Sequence, residues 1–275
     1  MGVGPTLGVC GEPPPPSPPL KGRGATAQRL ARPSNMLHLY PMKLTLIQPT
    51  DVPSPLRDRF GAYDRMFHRM FEGQGFEFET VRLSDGAPLP DPGALEAVLI
   101  TGSSAGVYDN HLAWMEPLRD FIRSAYAAKT PIVGICFGHQ IMADALGGDV
   151  RKSDKGWGLG RHVYSVTQRP AAIGGDLPEF AIACSHQDQV ITAPVEAEVF
   201  MASDFTPNAG LAYRNGAAIS LQPHPEFADD YAVALAELRR GKAPDAVIDT
   251  AIASVSRKSD SAEMAGYLGA FLSRA

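Results

Sequence analysis

The stretch PIVGICFGHQIMADALGG, Pro131–Gly148, decides the fold of this chain. Its first part, Pro131–Ile135, is short and apolar, the pattern of a strand covered on both faces. It runs directly into Phe137–Leu146, a helical stretch that Gly147 and Gly148 end. At the junction stands Gly134-Ile135-Cys136-Phe137-Gly138, a G-x-C-x-G. The G-x-S-x-G elbow has the same frame: a sharp strand-to-helix turn needs small flanking residues, and it lifts the nucleophile above the sheet edge. Here the candidate nucleophile is sulfur. Cys136 precedes a helix, where the dipole and free N–H groups favour a thiolate. The Phe137 N–H is the nearest candidate to hold an oxyanion. A cysteine in an apolar strand is otherwise a small hydrophobic filler. The glycine frame sets Cys136 apart from Cys184, which lacks one and reads as core.

Outward from this elbow, strands and helices alternate. Lys43–Gln48 and Phe76–Leu83 read as strands, and Ala97–Thr101 (AVLIT) as a strand buried on both faces. Between the first two, Leu56, Phe60, Tyr63, Phe67 and Met70 recur at helical spacing and predict one helix, with Pro55 in its first turn and Gly73 and Gly75 ending it. A further helix carries Trp114, Leu118, Phe121, Ile122 and Ala125 on one stripe. The order predicts an α/β fold: a mostly parallel sheet, helices on both sides, right-handed crossovers. After Val150 the pattern changes. Arg161–Thr167, Phe180–Ser185, Val199–Ala202, Leu211–Arg214 and Ala217–Gln222 predict short strands of a smaller, more antiparallel insertion that returns to the main sheet. Ala228–Ala275 reads as a helical tail in three pieces, broken near Gly241–Pro244 and Ser256–Ser261.

Met1–Asn35 belongs to another compositional class. Its run Pro13–Pro16, with Pro18 and Pro19, removes backbone donors, so a leader without a folded role is expected, with short polyproline II character. Cys10 lies within it, and Met36 and Met42 are candidate starts. The expected organisation is therefore a leader over 1–35, a main domain over 36–227 and a helical extension over 228–275.

Composition narrows the function classes. In 275 residues, hydrophobic side chains make up 44% and charged ones 20%, enough for a sizeable core. No apolar run reaches the roughly 18 residues of a membrane-spanning helix. A net charge of −5 argues against a nucleic-acid surface. Three cysteines are not a disulfide framework and point to a reducing cytoplasm. With no His-Glu-x-x-His, Cys-x-x-Cys or P-loop, neither a metal nor an organic cofactor is expected.

A catalytic cysteine needs a base, and the base an orienting partner. Of the seven histidines, His224 stands out, in Gln222-Pro223-His224-Pro225-Glu226. Two prolines fix the backbone around it, at the carboxyl end of the strand Ala217–Gln222. Glu226, two residues on in an extended stretch, can point the same way and accept from the ring. Parallel sheets place their sites at strand carboxyl ends, where Cys136 also lies. His139 and His186 are rivals; His139, one turn into the helix, reads as a packing or rim residue.

Gly134–Gln140 together with Pro223-His224-Pro225-Glu226 resembles the class I, triad-type glutamine amidotransferases. The order Cys…His-x-Glu, 88 residues from Cys136 to His224, fits that family, and the resemblance covers about residues 43–227. Its flavour is that of GMP synthase glutaminase domains and free-standing γ-glutamyl peptidases. The resemblance implies a flavodoxin-like three-layer fold and a Cys136–His224–Glu226 triad acting on glutamine or a γ-glutamyl substrate. It further implies an oxyanion strand at Thr101-Gly102-Ser103-Ser104, with Gly102 or Ser103 donating beside Phe137. It also places Gln140 on the substrate and Ser185, His186 and Gln187 around it. GMP synthases usually carry glycine where Gln187 stands. An ammonia-accepting synthetase subunit is one implied partner. The 48 residues after Phe227 carry no phosphate-cradling loop, which tilts the expectation toward a free-standing hydrolase. A regulatory subunit with a broken triad, or an elbow-cysteine redox or deglycase protein, explains the filled triad positions less well.

Overall fold

The computed structural model describes residues 1, 2, 4, 41–170 and 174–274. The expected leader, with its proline run and Cys10, lies almost wholly outside the described residues. The described residues from 41 onward form one compact unit.

The fold is a nine-stranded sheet between helical layers. Its parallel half is built from β1 (Met42–Gln48), β2 (Phe76–Arg82), β3 (Ala97–Ile100), β4 (Ile132–Ile135) and β11 (Ala218–Leu221), in the order β2-β1-β3-β4-β11. The antiparallel half continues from β11 through β10 (Gly210–Tyr213), β9 (Ala197–Ala202), β6 (Gly158–Val166) and β7 (Glu179–His186). The strands expected as an insertion thus extend the main sheet. What stands apart is a two-stranded antiparallel ribbon of β5 (Asp149–Lys152) and β8 (Asp188–Thr192).

Side-chain alternation in the central strands feeds two cores. Leu99, Val133 and Ile135 face one side, with Phe67 and Phe71 from α2 (Tyr63–Met70) and its end and Leu268 and Phe271 from α7 (Ser261–Leu272). Val98, Ile100 and Ile132 face the other, against Leu118 and Ile122 of α3 (Met115–Ala128) and Ile141 of α4 (Phe137–Ala145). Both faces of β3 and β4 are covered, which is why those strands read as unbroken apolar runs.

The helix predicted over Leu56–Met70 is instead two, α1 (Ser54–Phe60) and α2. Gly61 breaks it with φ +79, a left-handed conformation in which glycine carries no Cβ penalty, and its N–H closes α1 on the Arg57 carbonyl. The tail forms α5 (Asp229–Glu237), α6 (Asp245–Ser254) and α7, with breaks where the glycine, proline and serine clusters predict them. Arg161 on β6, its side chain 1% exposed, ties the tail to the sheet: it donates to the Val255 and Arg257 carbonyls and pairs with Asp229. The bonded carboxylate and carbonyls offset the cost of burying its charge.

β1, β3, β4 and β11 are mutually parallel, so their carboxyl ends lie on one edge of the sheet. Chain order reverses between β1 and β3, the switch point at which open α/β sheets build their sites.

Candidate active site

Cys136 is held at φ 52, ψ −101, a strained conformation for a side chain other than glycine. Two close approaches impose it. A Cβ at Gly138 would lie 2.2 Å from the Ile100 carbonyl oxygen, and one at Gly134 would lie 2.5 Å from the Gly138 carbonyl oxygen. Only bare backbone lets α4 start this close to β3 and β4. The Cys136 N–H donates to the Leu221 carbonyl at 2.8 Å, fastening the elbow to the end of β11. Its side chain caps no backbone group of α4.

β11 delivers His224 three residues after it ends. The His224 N–H donates to the Ala183 carbonyl at 2.8 Å, and the ring stacks on Phe227 at 3.9 Å between centroids. Nδ1 lies 2.7 Å from Glu226 Oε1, both side chains being almost fully buried. Burial works against charge on His224, but Glu226 and the Cys136 sulfur outweigh it and hold its pKa up at about 10. His224 and Cys136 line the same small cavity, about 30 Å³ in volume, together with Ser103, Ser104 and Ser185.

The loop after β3 closes on this pair. A Cβ at Gly102 would lie 3.0 Å from His224 Cε1, so the imidazole rests against bare backbone. Ser103 Oγ meets Thr50 Oγ1 at 2.9 Å and accepts from the Ala105 N–H at 3.0 Å, which pins the loop. Among the described residues the N–H groups of Gly102, Ser103 and Phe137 have no acceptor, the last because a first-turn amide has no partner within its own helix.

The remaining expected residues lie apart from the cavity lining. Gln140, 3% exposed, donates to the Asp188 carbonyl at 2.9 Å and to Gln222 Oε1 at 3.3 Å, bracing α4 against the β8 ribbon. Gln187 gives its carbonyl to the Ser153 N–H. His186 is buried with Nδ1 on the Asp188 carbonyl, and burial pulls its pKa down to about 3. His139, fully buried on Ser220 Oγ at 2.8 Å, is likewise pulled down to about 3. Both rivals of His224 are thus locked neutral. No cluster of ligating side chains suited to a metal occurs among the described residues, and none of their helices is long and apolar enough to cross a membrane.

Three site residues escape sequence reading. Gln222 donates Nε2 to Cys136 Sγ at 3.5 Å, and adjacency to the Pro-His-Pro motif was its one signal. Tyr63 sits in the helical stripe as though it were plain core, yet it lines the cavity. Arg239, from the segment after α5, lines it too and carries no local signal.

A strained cysteine between strand and helix, with a buried histidine–carboxylate pair at the neighbouring strand end, defines an α/β protein with a cysteine elbow. The sequence model described as glutamine amidotransferase class-I matches residues 56–231, and the chain belongs to that family. Gamma-glutamyl peptidase 5 of Arabidopsis thaliana is 28% identical over 67% of this chain and 76% of its own length. One subunit of the glutamine-hydrolyzing GMP synthase of Ignicoccus hospitalis is 29% identical over 60% of this chain and 84% of its own. A Saccharomyces cerevisiae relative is 34% identical, but the match spans about half of each protein, 49% and 54%. In structure, a Thermotoga maritima glutamine amidotransferase superposes with a TM-score of 0.67 at 19% identity, over 85% of this chain and 97% of that one. That last likeness shows the fold.

Proposed function

We propose that this chain hydrolyses the γ-carboxamide of glutamine or a γ-glutamyl amide through Cys136, His224 and Glu226. The observation that carries the reading is the strained Cys136 sharing one cavity with a histidine that Glu226 orients. Cys136 Sγ attacks the γ-carbonyl carbon while His224 holds the pair's proton. The oxyanion of the tetrahedral intermediate takes the free N–H groups of Phe137 and of Gly102 or Ser103, each worth about 3 kcal/mol. His224 then gives its proton to the leaving nitrogen, which departs as ammonia or an amine and leaves a γ-glutamyl thioester. Water, deprotonated by His224, attacks that thioester, releases glutamate and regenerates the thiol. Glu226 holds the ring in place and stabilises its charged form. Gln222, donating to the sulfur, steadies the nucleophile's position.

Water as final acceptor is the first reading, supported by similarity to a gamma-glutamyl peptidase over two thirds of the chain. The second, in which ammonia passes to a separate synthetase subunit, draws support from similarity to the Ignicoccus hospitalis GMP synthase subunit. Steady-state rates on free glutamine and on γ-glutamyl dipeptides separate them. Fast dipeptide cleavage by the chain alone fits the first. Slow glutamine turnover that rises when a synthetase fraction is added fits the second. Cys136→Ala is expected to abolish turnover while lowering the melting temperature by no more than about 5 °C. Retained turnover in that variant defeats the assignment.

A further inference from the structure

One wall of the cavity comes from beyond the span that matches the family. Arg239 lies eight residues past Tyr231, the last matched residue, and two past the end of α5. A tight turn fixes its backbone: its N–H donates to the Ala236 carbonyl at 2.9 Å, and its carbonyl accepts from Lys242 and Ala243 at 2.8 and 2.9 Å. The guanidinium carbon stacks 4.5 Å from the centre of the Trp157 ring. Its buried Nε has no hydrogen-bond partner, and no carboxylate among the described residues pairs with it.

The contrast with its neighbour is sharp. Arg240 takes Glu237, Asp245 and Asp249 in ion pairs, so acids are plentiful on this surface and none is given to Arg239. Asp51, the carboxylate on the described cavity lining, is engaged at 2.8 Å by Arg57 and accepts from the Val52 and Tyr63 N–H groups. A partly buried, always-charged fork therefore faces the reacting sulfur's cavity with its charge uncompensated. Such a half-buried guanidinium, with no carboxylate of its own, is open to pairing with an anion that enters the cavity. Burial also lowers its pKa, which marks the same imbalance.

A γ-glutamyl substrate offers one carboxylate, the α-carboxylate, at the far end from the carbonyl that Cys136 attacks. We propose that Arg239 anchors that α-carboxylate and so selects γ-glutamyl amides over acyl amides that lack it. The proposal rests on the hydrolase reading above and deepens it. It assigns the C-terminal extension a share in substrate recognition that the matched span does not contain. A cavity of about 30 Å³ holds only a water or two, so the incoming substrate must turn a lining side chain. Arg239, whose guanidinium is held by stacking on Trp157 and not by an ion pair, can swing from that ring onto the arriving carboxylate.

The test uses binding as well as turnover, on the full chain. L-glutamine and 4-aminobutyramide, which is glutamine without its α-carboxylate, are titrated calorimetrically into Cys136→Ala and into Cys136→Ala/Arg239→Gln. L-glutamine should bind the first at least about 10-fold more tightly than it binds the second, the usual scale of a charge-assisted pair. 4-Aminobutyramide should not distinguish the two. Arg239→Lys, which keeps the charge but loses the fork, should recover part of the affinity. Equal L-glutamine affinities within about 3-fold, or no L-glutamine binding to either, overturn the anchor. In parallel, kcat/KM of the parent chain on γ-glutamyl-p-nitroanilide should exceed that on 4-aminobutyryl-p-nitroanilide, and Arg239→Gln should collapse the ratio toward unity. An unchanged ratio also overturns the proposal. Turnover that survives Cys136→Ala condemns the hydrolase reading instead, and the titrations still judge Arg239.

Discussion

Replacing Gly138 with alanine should break the seat of Cys136, and the structure sets the size of the effect. The new Cβ would lie 2.2 Å from the Ile100 carbonyl oxygen and 2.9 Å from its carbonyl carbon. The shortfall from a normal C···O approach of roughly 3.3 Å is about 1 Å. Ile100 cannot yield, because β3 is paired to β1 on one side and β4 on the other. α4 must therefore move away by about 1 Å, an overpacking cost near 3 kcal/mol, the upper part of the usual range. At about 2–4 °C per kcal/mol, the melting temperature should fall by about 6–12 °C. The same displacement carries the Phe137 N–H and the Cys136 sulfur with it, and misplacement on that scale costs about 10²-fold in rate. Thermal melts by circular dichroism and kcat on γ-glutamyl-p-nitroanilide read the two effects. Gly266→Ala on α7 is the control: a Cβ there meets nothing within 4 Å, so it should raise stability by about 0.5–1 kcal/mol and leave kcat alone. A Gly138→Ala chain that melts within about 2 °C of the parent and keeps kcat within about 3-fold would refute the close-approach argument.

Two further outcomes follow from the buried histidines and the proposed triad. His224→Ala should cost more in kcat than Glu226→Gln, because losing the proton carrier outweighs losing its orientation; single-turnover rates at fixed pH check the order, and the reverse order contradicts the assigned roles. Folding stability should peak near pH 6.5. Below it the unfolded chain gains protons that His139 and His186, with pKa values pulled down to about 3 by burial, refuse in the fold; stability therefore drops as pH falls from 6.5 toward 3. Above it the contribution of His224, held up at about 10 against the opposing effect of burial, is lost as pH rises through that value. Urea unfolding at pH 5, 6.5 and 9 should show both limbs, each histidine contributing at most about 1.4 kcal/mol per pH unit, and His224→Ala should flatten the alkaline one. A stability profile that is level from pH 5 to 9 contradicts the burial argument.

Much of the parallel half was legible because its signals are local. A doubly covered strand such as Ala97–Ile100 must be apolar throughout, and a strand-to-helix elbow must carry glycines where backbones touch; both demands fall on neighbouring residues. β5 and β8 were missed because each buries few residues, Val150 alone in one and Gln189 and Val190 in the other, too few to leave a period of two. The stripe from Leu56 to Met70 hid a break because its spacing survives the Gly61 turn, which re-aims Tyr63 into the cavity without changing the apolar pattern. The antiparallel strands could be seen one by one, but their joining to β11 through β10 depends on hydrogen bonds between distant segments.

The sequence by itself determined the elbow cysteine, the His-x-Glu pair and the α/β order around them, since each is written in residues a few positions apart. Only the tertiary structure decided that His139 and His186 are locked neutral, that Gln222 reaches the sulfur, and that Arg239 from the far end of the chain closes the cavity. Those facts depend on which segments pack together and how much water they exclude. Burial and uncompensated charge are properties of a packed neighbourhood, and no local period or motif encodes them.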